Sequence, residues 1–430
     1  MLHDPAHIPE VPVEEEIIFT PAEQDVLKRL GQEIFEISQD PINKERATLW
    51  TKLNDLQAER PMVFINEVPW HEMDVDGELT LQTEGTFAKE LETKLRRTIY
   101  QWKHFPGDMV VSPFIVCEKV FHSTDFGIVE QVDTAHTDKD SAIYSRHFNP
   151  QIVEPEDIEK IKMPQITYLQ DATNFAMSAM TDVFKDIIDV RLEGQKHIWF
   201  TPWDFLVRWW GIEEAMIDLY ERPEMVIAAY ERMVDAWCIE LDQFEALNLL
   251  SLDCNNTRIG SGGYGYISDL PGKGYDPDHV RPQNMWGCSN AQIFAAVSPE
   301  MHWEFALKHD QKWLSRFGHT YYGCCEPLDG KMDLLRQIPN LRKISVSAWV
   351  DSERAVSEIG GDYVMSQKPN PAVFSGPNYA AEQAKAELLA FEERSKGLNV
   401  EYIMKDVSTL GYHPRRLWEW ERMVMDIVTK

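Results

Sequence analysis

No stretch of the 430 residues approaches the roughly 20 consecutive apolar positions that a bilayer span requires, so a membrane protein is not expected. Positive charge is also scarce. Against 71 Asp and Glu stand 42 Lys and Arg, a formal charge of -29 with a pI near 4.8. That field repels phosphate backbones and anionic lipid, which argues against nucleic acid and membrane surfaces as partners. Six cysteines are too few for a disulfide scaffold in a chain of this length. Met1 to Glu16 has neither the basic region nor the apolar core of a secretion signal, so the expected location is cytoplasmic. There is no Gly-x-Gly-x-x-Gly or Walker A segment to cradle a nucleotide, and no internal repeat.

What is present has a globular balance, 43% hydrophobic and 26% charged, which excludes a disordered or fibrous chain. Val26, Leu27, Leu30, Ile34 and Phe35 share one helical face, and residues 1–60 read as a helical N-terminal extension. Met62–Ile65 begins a strand, and Phe87, Leu91, Leu95 and Ile99 mark a helix laid on a core. Strands are expected at 108–116, 197–201, 249–253, 319–325, 343–348, 362–366 and 400–406, with helices between most of them. Residues 122–165 are polar and irregular, a long excursion. Short β-rich runs alternating with helices of 10 to 20 residues predict parallel βαβ units, and seven or eight of them close naturally as a (β/α)8 barrel over 61–430. An open doubly wound sheet is the alternative. The glycine cluster Gly260–Tyr266 reads as a flexible loop on the catalytic face, a lid that would bring Tyr264 to substrate.

Barrel enzymes carry reacting groups at the C-terminal ends of strands. The polar residues expected there are Asp204, Asp253, Asn255, Cys324, Cys325, Glu326 and Asp406, with His413 a few residues on. Cys324 and Glu326 would share a strand face by period-two alternation, unless a kink turns Cys325 inward. A Cys-x-Glu pair supplies two corners of a tetrahedral zinc; two small buried residues beside a solvated glutamate is the bland alternative. His413 is a ligand, a proton carrier, or merely the neighbour of Pro414. Trp199 and Trp203, in a chain with 14 tryptophans, suggest a pocket for a flat or apolar ligand, though most buried aromatics are core.

Several of these residues also carry a resemblance. Val297-Ser-Pro-Glu300, Phe317-Gly318 and the strand ending Gly323-Cys-Cys-Glu326 are similar to segments of the uroporphyrinogen decarboxylase superfamily. So are Asp351 to Gly360, Asp362 to Ser366, and Lys368-Pro-Asn-Pro371 where the family has a Gly-Asn-x-Asp-Pro turn. The likeness covers roughly 60–430 as scattered short motifs and implies a (β/α)8 barrel. The family's true decarboxylases carry an Arg-Gln-Ala-Gly-Arg motif after the first strand; here that place reads Phe64-Ile-Asn-Glu-Val-Pro-Trp70, without arginine. The chain instead resembles the corrinoid-dependent methyltransferase branch. Met404 to Thr409 and Pro414-Arg-Arg-Leu-Trp418 look most like its methyl-ether-demethylating members.

The resemblance implies transfer of a methyl group from a small methylated substrate, a methyl ether, to a corrinoid (cobalamin) carried by a partner protein. It also implies zinc. The branch uses a His-x-Cys pair and a late cysteine; this chain has Cys324, Cys325 and Glu326 at the first place and Lys405-Asp406 to His413 at the second, so only the positions carry over. His413 is preferred to Asp406 as third ligand, and either serves as general acid. Asp253, Asp406 and His413 are the catalytic candidates; Trp199, Trp203, Asp204, Asn255 and Tyr264 are the substrate-binding ones. Barrels of this superfamily often pair as homodimers. A metal-free decarboxylase or lyase is the competing function, with Asp253 or Asp406 handling protons and Arg208 or Arg258 holding a carboxylate. A non-catalytic binding barrel is the third.

Overall fold

A computed structural model describes residues 18–135 and 144–430. The reading of Met1–Glu16 and the centre of the 122–165 excursion lie outside them. The chain begins with α1 (Pro21–Ser38) and α2 (Ile42–Asn54). Thr20 and Glu23 form a reciprocal capping box that starts α1, satisfying two N–H groups the helix leaves free. Leu27, Leu30 and Ile34 of α1 then pack on Leu91 and Leu95 of a later helix. From α2, Trp50 donates its indole N–H to the Asp108 carbonyl at 2.9 Å.

The strands are β1 (Met62–Ile65), β2 (Phe114–Glu118), β3 (Phe121–Ser123), β4 (Val132–Ala135), β5 (Ser145–Phe148), β6 (Ile166–Tyr168), β7 (Asp189–Glu193), β8 (Trp286–Ser289), β9 (His319–Tyr322), β10 (Leu341–Val346), β11 (Val364–Gln367) and β12 (Val400–Met404). Between them run α3 (Thr86–His104), α4 (Gln170–Phe184), α5 (Pro202–Trp210), α6 (Ile212–Glu221) and α7 (Pro223–Ala246). In the second half, α8 (Pro299–His302) passes through a π-turn into α9 (Lys308–Leu314), followed by α10 (Met332–Leu335), α11 (Ser352–Ile359), α12 (Ala381–Arg394) and α13 (Arg415–Val428).

Six strands form one parallel sheet in the order β1-β12-β11-β10-β9-β8. The first strand therefore pairs with the last, Met62 opposite Glu401. β2 and β7 form a separate parallel pair, and of two antiparallel ribbons β4·β5 lies within the excursion while β3·β6 joins its two ends. An α/β architecture around a six-stranded parallel sheet is what the structure shows. A ring of strands closed by hydrogen bonds is not present among the described residues.

Individual elements depart from expectation for physical reasons. Residues 197–201 carry no strand ladder; the strand lies earlier, at β7. Of 249–253 only an isolated bridge at Leu250, opposite Gln195, remains. β8 was not legible, because Gly287 interrupts it; a Cβ there would stand 2.4 Å from the Phe317 ring. Among the described residues no helix is long and apolar enough to cross a membrane.

The largest correction concerns the glycine cluster. Gly260 to Gly265 are buried, and the expected lid is instead packed inside the protein. A Cβ on Gly260 (φ +55°) would meet the Tyr321 ring at 2.4 Å, and one on Gly263 would meet Trp50 at 2.4 Å. Without side chains the main chain enters where no other residue fits. Tyr264 accordingly sits edge-on to Trp50 and Phe64, with ring centroids 5.5 and 4.9 Å apart. Beside it lies a fully buried ion pair, Lys343 Nζ to Glu401 Oε2 at 2.9 Å. The Tyr264 carbonyl accepts from Lys343 at 3.2 Å, and Gly263 donates its N–H to Glu401 at 3.1 Å.

Candidate functional site

The segments that follow β1, β8, β9, β11 and β12 carry Glu67, Asn290, Cys324 with Cys325, Lys368, and Lys405 with Asp406. Inward and outward positions follow from the strand period. In β9, Tyr321 faces Ser261 and Lys368 inside, while Tyr322 turns out to His302. Lys368 donates to the Tyr321 hydroxyl at 2.5 Å and to the Ser366 carbonyl at 2.9 Å. Burial, partly offset by the neighbouring Cys324, brings its ammonium down to about 7.

After β9 the chain turns at Gly323, whose φ of +96° and whose contacts with Leu328 and Ser345 leave no room for a Cβ. Alternation breaks there. Cys324 and Cys325 consequently bring their sulfurs to 3.6 Å rather than to opposite faces. The hydrogen bond between the two thiols lowers Cys325 below the usual thiol range and raises Cys324. Lys405 Nζ stands 3.7 Å from Cys324 Sγ and 3.4 Å from Glu67 Oε2, and also contacts the Asp406 carboxylate. Burial would lower the lysine; Cys324, Glu67 and Asp406 outweigh it and hold the ammonium charged. Arg258 pairs with Glu67 at 2.5 Å, and Asp406 Oδ2 lies 3.7 Å from Cys325 Sγ. Glu67 (φ +52°) and Asp406 (φ +56°) both hold the left-handed backbone region, a strain that recurs where function fixes side-chain aim.

Of the expected zinc ligands, Glu326 and His413 do not join Cys324 and Cys325, whose sulfurs lie together with Asp406 beside them. Glu326 is fully buried, but its two oxygens accept from the N–H groups of Cys324 (2.8 Å) and Ala291 (3.1 Å). His413 is exposed at the approach to α13. Among the described residues no three His, Cys, Asp or Glu side chains group as a metal would require. The cation standing against the thiol of Cys324 and the carboxylates is the ammonium of Lys405.

Other expected residues divide into two sets. Asp204, in the first turn of α5, faces Gln292 at 3.1 Å and interacts with Glu326. Burial, reinforced by Glu326, raises its carboxyl to about 6. Asp253 is elsewhere: it is fully buried and accepts from the Trp286 N–H at 3.0 Å, holding the start of β8. Gly260 donates its N–H to His197 Nε2 at 2.8 Å, so that imidazole presents a lone pair there and its other nitrogen faces Asp253 at 3.6 Å. Trp203 donates to the Phe305 carbonyl at 3.0 Å and is packed against Tyr230 and Phe294. Trp199 is half-buried against the cluster of Ile259, Trp286 and Tyr321. Asn255 is spent on its own turn, accepting from Thr257 and donating to the Leu252 carbonyl. With Asn256 and Tyr266 it borders a separate cleft of about 790 Å³.

The raised Asp204 predicts a pH effect on stability. Its folded value exceeds the unfolded one, so the folded state holds the extra proton between about pH 4 and 6. The stabilisation is complete below pH 4 and lost as pH rises through 6. Asp204→Asn should remove a decline of about 3 kcal/mol across that window, read as urea midpoints of both proteins at each pH. Identical slopes would place Asp204 in contact with solvent.

Sequence reasoning missed Glu67, Asn290 and Lys368 as members of this group. Each follows a strand by one or two positions, which is the signal that would have found them once β8 and β11 were placed. No protein-family model matches the chain, and no curated protein sequence matches it. Among solved structures it is similar to a methyltransferase from Methanosarcina mazei, with a TM-score of 0.51 and 12% identity over 89% of this chain and 98% of the other. At that identity the likeness is one of fold.

Proposed function

We propose that the protein is a methyltransferase, taking a methyl group from a small methyl ether and delivering it to a corrinoid carried by a partner protein, on a (β/α)8 barrel. The β1·β12 pairing and the fold likeness support the barrel. The observation that carries the function is the cluster at the strand ends: two thiols, the Lys405 ammonium and Asp406, with the proton-holding carboxyl of Asp204 beside Glu326. An ether oxygen is a poor leaving group and must gain a proton as its bond to the methyl carbon breaks. Asp204, raised to about 6, keeps such a proton to a higher pH than an ordinary carboxyl, and Glu326 disfavours its loss. The corrinoid, when presented by its partner, supplies the nucleophile that accepts the methyl group; the alcohol or phenol departs with the proton from Asp204.

Glu326, spent on two backbone amides, and His413, exposed before α13, are not placed to share a zinc with the two thiols. The lyase reading has less support, since Arg258 is committed to Glu67 and Asp253 to the Trp286 amide. The test is spectroscopic. Reduced cobalamin mixed with the protein and 2-methoxyphenol should convert to methylcobalamin, and Asp204→Asn should slow this at least tenfold. Failure of a panel of methyl ethers and methylamines to methylate the corrinoid would overturn the proposal.

A further inference from the structure

Asn290 follows β8 and is 1% exposed, yet neither its amide oxygen nor its amide nitrogen has a protein partner among the described residues. A buried amide without partners forfeits the hydrogen bonds it made to water, so it is rarely kept without a use. Its position is well fixed. Ser289 pairs with Tyr322 in register and accepts the Gly323 N–H at 2.9 Å, which sets Asn290 level with the thiol turn. On its other side Ala291 donates to Glu326. Alternation sets its direction: Trp286 and Cys288 point inward, toward Gly265 and Ile198, while Ser289 turns outward to Asp310 of α9 at 2.8 Å. The next side chain therefore faces the interior at the strand ends.

We propose that Asn290 is a substrate-binding residue, its amide reading a ligand that carries a hydrogen-bond acceptor and a donor on neighbouring atoms, as in an aryl methyl ether with an adjacent hydroxyl. This deepens the methyltransferase reading and rests on it for the identity of the acceptor as an ether oxygen. The amide N–H would meet that oxygen and the amide carbonyl the hydroxyl, a pairing that a ligand lacking the donor cannot complete. Sites built to bond a polar group discriminate strongly against analogues without it, because their own buried groups are then left unpaired.

Two measurements on the whole protein decide the matter. Binding of 2-methoxyphenol and of anisole is compared by ligand-observed NMR in the wild type and in Asn290→Leu. The wild type should prefer 2-methoxyphenol by tenfold or more, and the variant should lose that preference while binding anisole at least as well. Equal affinities in the wild type, or an undiminished preference in the variant, would overturn the assignment, as would failure of the wild type to bind either compound. Thermal unfolding supplies the second arm. Asn290→Leu should melt at the same or a higher temperature than the wild type, because it removes unpaired polar atoms. A fall of several degrees would show that the amide is a structural bond and overturn the proposal. If the binding preference and the melting result hold while no methylated corrinoid forms, the methyl-transfer reading fails and the Asn290 site stands.

Discussion

Replacing Lys405 with methionine is expected to abolish methyl transfer and to lower the unfolding free energy by roughly 3–5 kcal/mol, the usual cost of stripping one partner from a buried charge cluster. The ammonium touches Cys324, Glu67 and Asp406, while Arg258 pairs with Glu67. Without Lys405 the half-buried Asp406 carboxylate is left beside Glu67 with no cation of its own. It must then take up a proton or draw in water. Adding Asp406→Asn to the variant removes the stranded charge and should recover most of the stability without recovering activity. Denaturant midpoints and cobalamin spectra of the two variants separate these effects. A single variant as stable as the wild type would mean that solvent already neutralises the carboxylates, and that the lysine is not their counter-ion.

Lys343→Met should be equally costly, again roughly 3–5 kcal/mol, for a different reason. Lys343 and Glu401 are both fully buried and bond to each other at 2.9 Å. Burial lowers the lysine and Glu401 supports its charge. Either single change strands the other ion; Glu401 also holds the Gly263 N–H, so Glu401→Gln keeps one bond and should cost less. The double variant Lys343→Met, Glu401→Gln should recover at least half of the loss, since paired buried ions contribute little net stability once both are replaced. Guanidinium unfolding of all four proteins closes the cycle. Additive losses would show that the two residues do not act as a pair.

The sheet was largely legible where apolar runs are uninterrupted. Met62–Ile65, Lys343–Val346 and Val400–Met404 announce themselves, and Pro299 and Asp351 mark helix starts as capping chemistry requires. Legibility failed where glycine takes part. Gly287 hid β8, and with it Asn290; the Gly260–Gly265 run looked like a mobile loop because backbone flexibility and close packing use the same residue. The site was half readable. Cys324, Cys325, Glu326 and Asp406 fall at strand ends as expected, but the pairing of their charges depends on contacts between residues far apart in sequence, Glu67 with Arg258 and Cys324 with Lys405. Nothing local encodes such pairs. The turn at Gly323 was equally invisible, and it alone decides that both sulfurs lie together.

The buried glycine run ties the thiol turn to residues that carry no chemistry of their own. Ser261, carried on it, donates to the Gly323 carbonyl at 3.2 Å and lies 3.0 Å from the Tyr321 hydroxyl. A side chain added at Gly260 or Gly263 would have to displace Tyr321 or Trp50, and the displacement would pass through Ser261 to the turn that holds both sulfurs. Loss of function by alanine at these two positions would thus be mechanical in origin, the scaffold giving way while every reactive group remains in place.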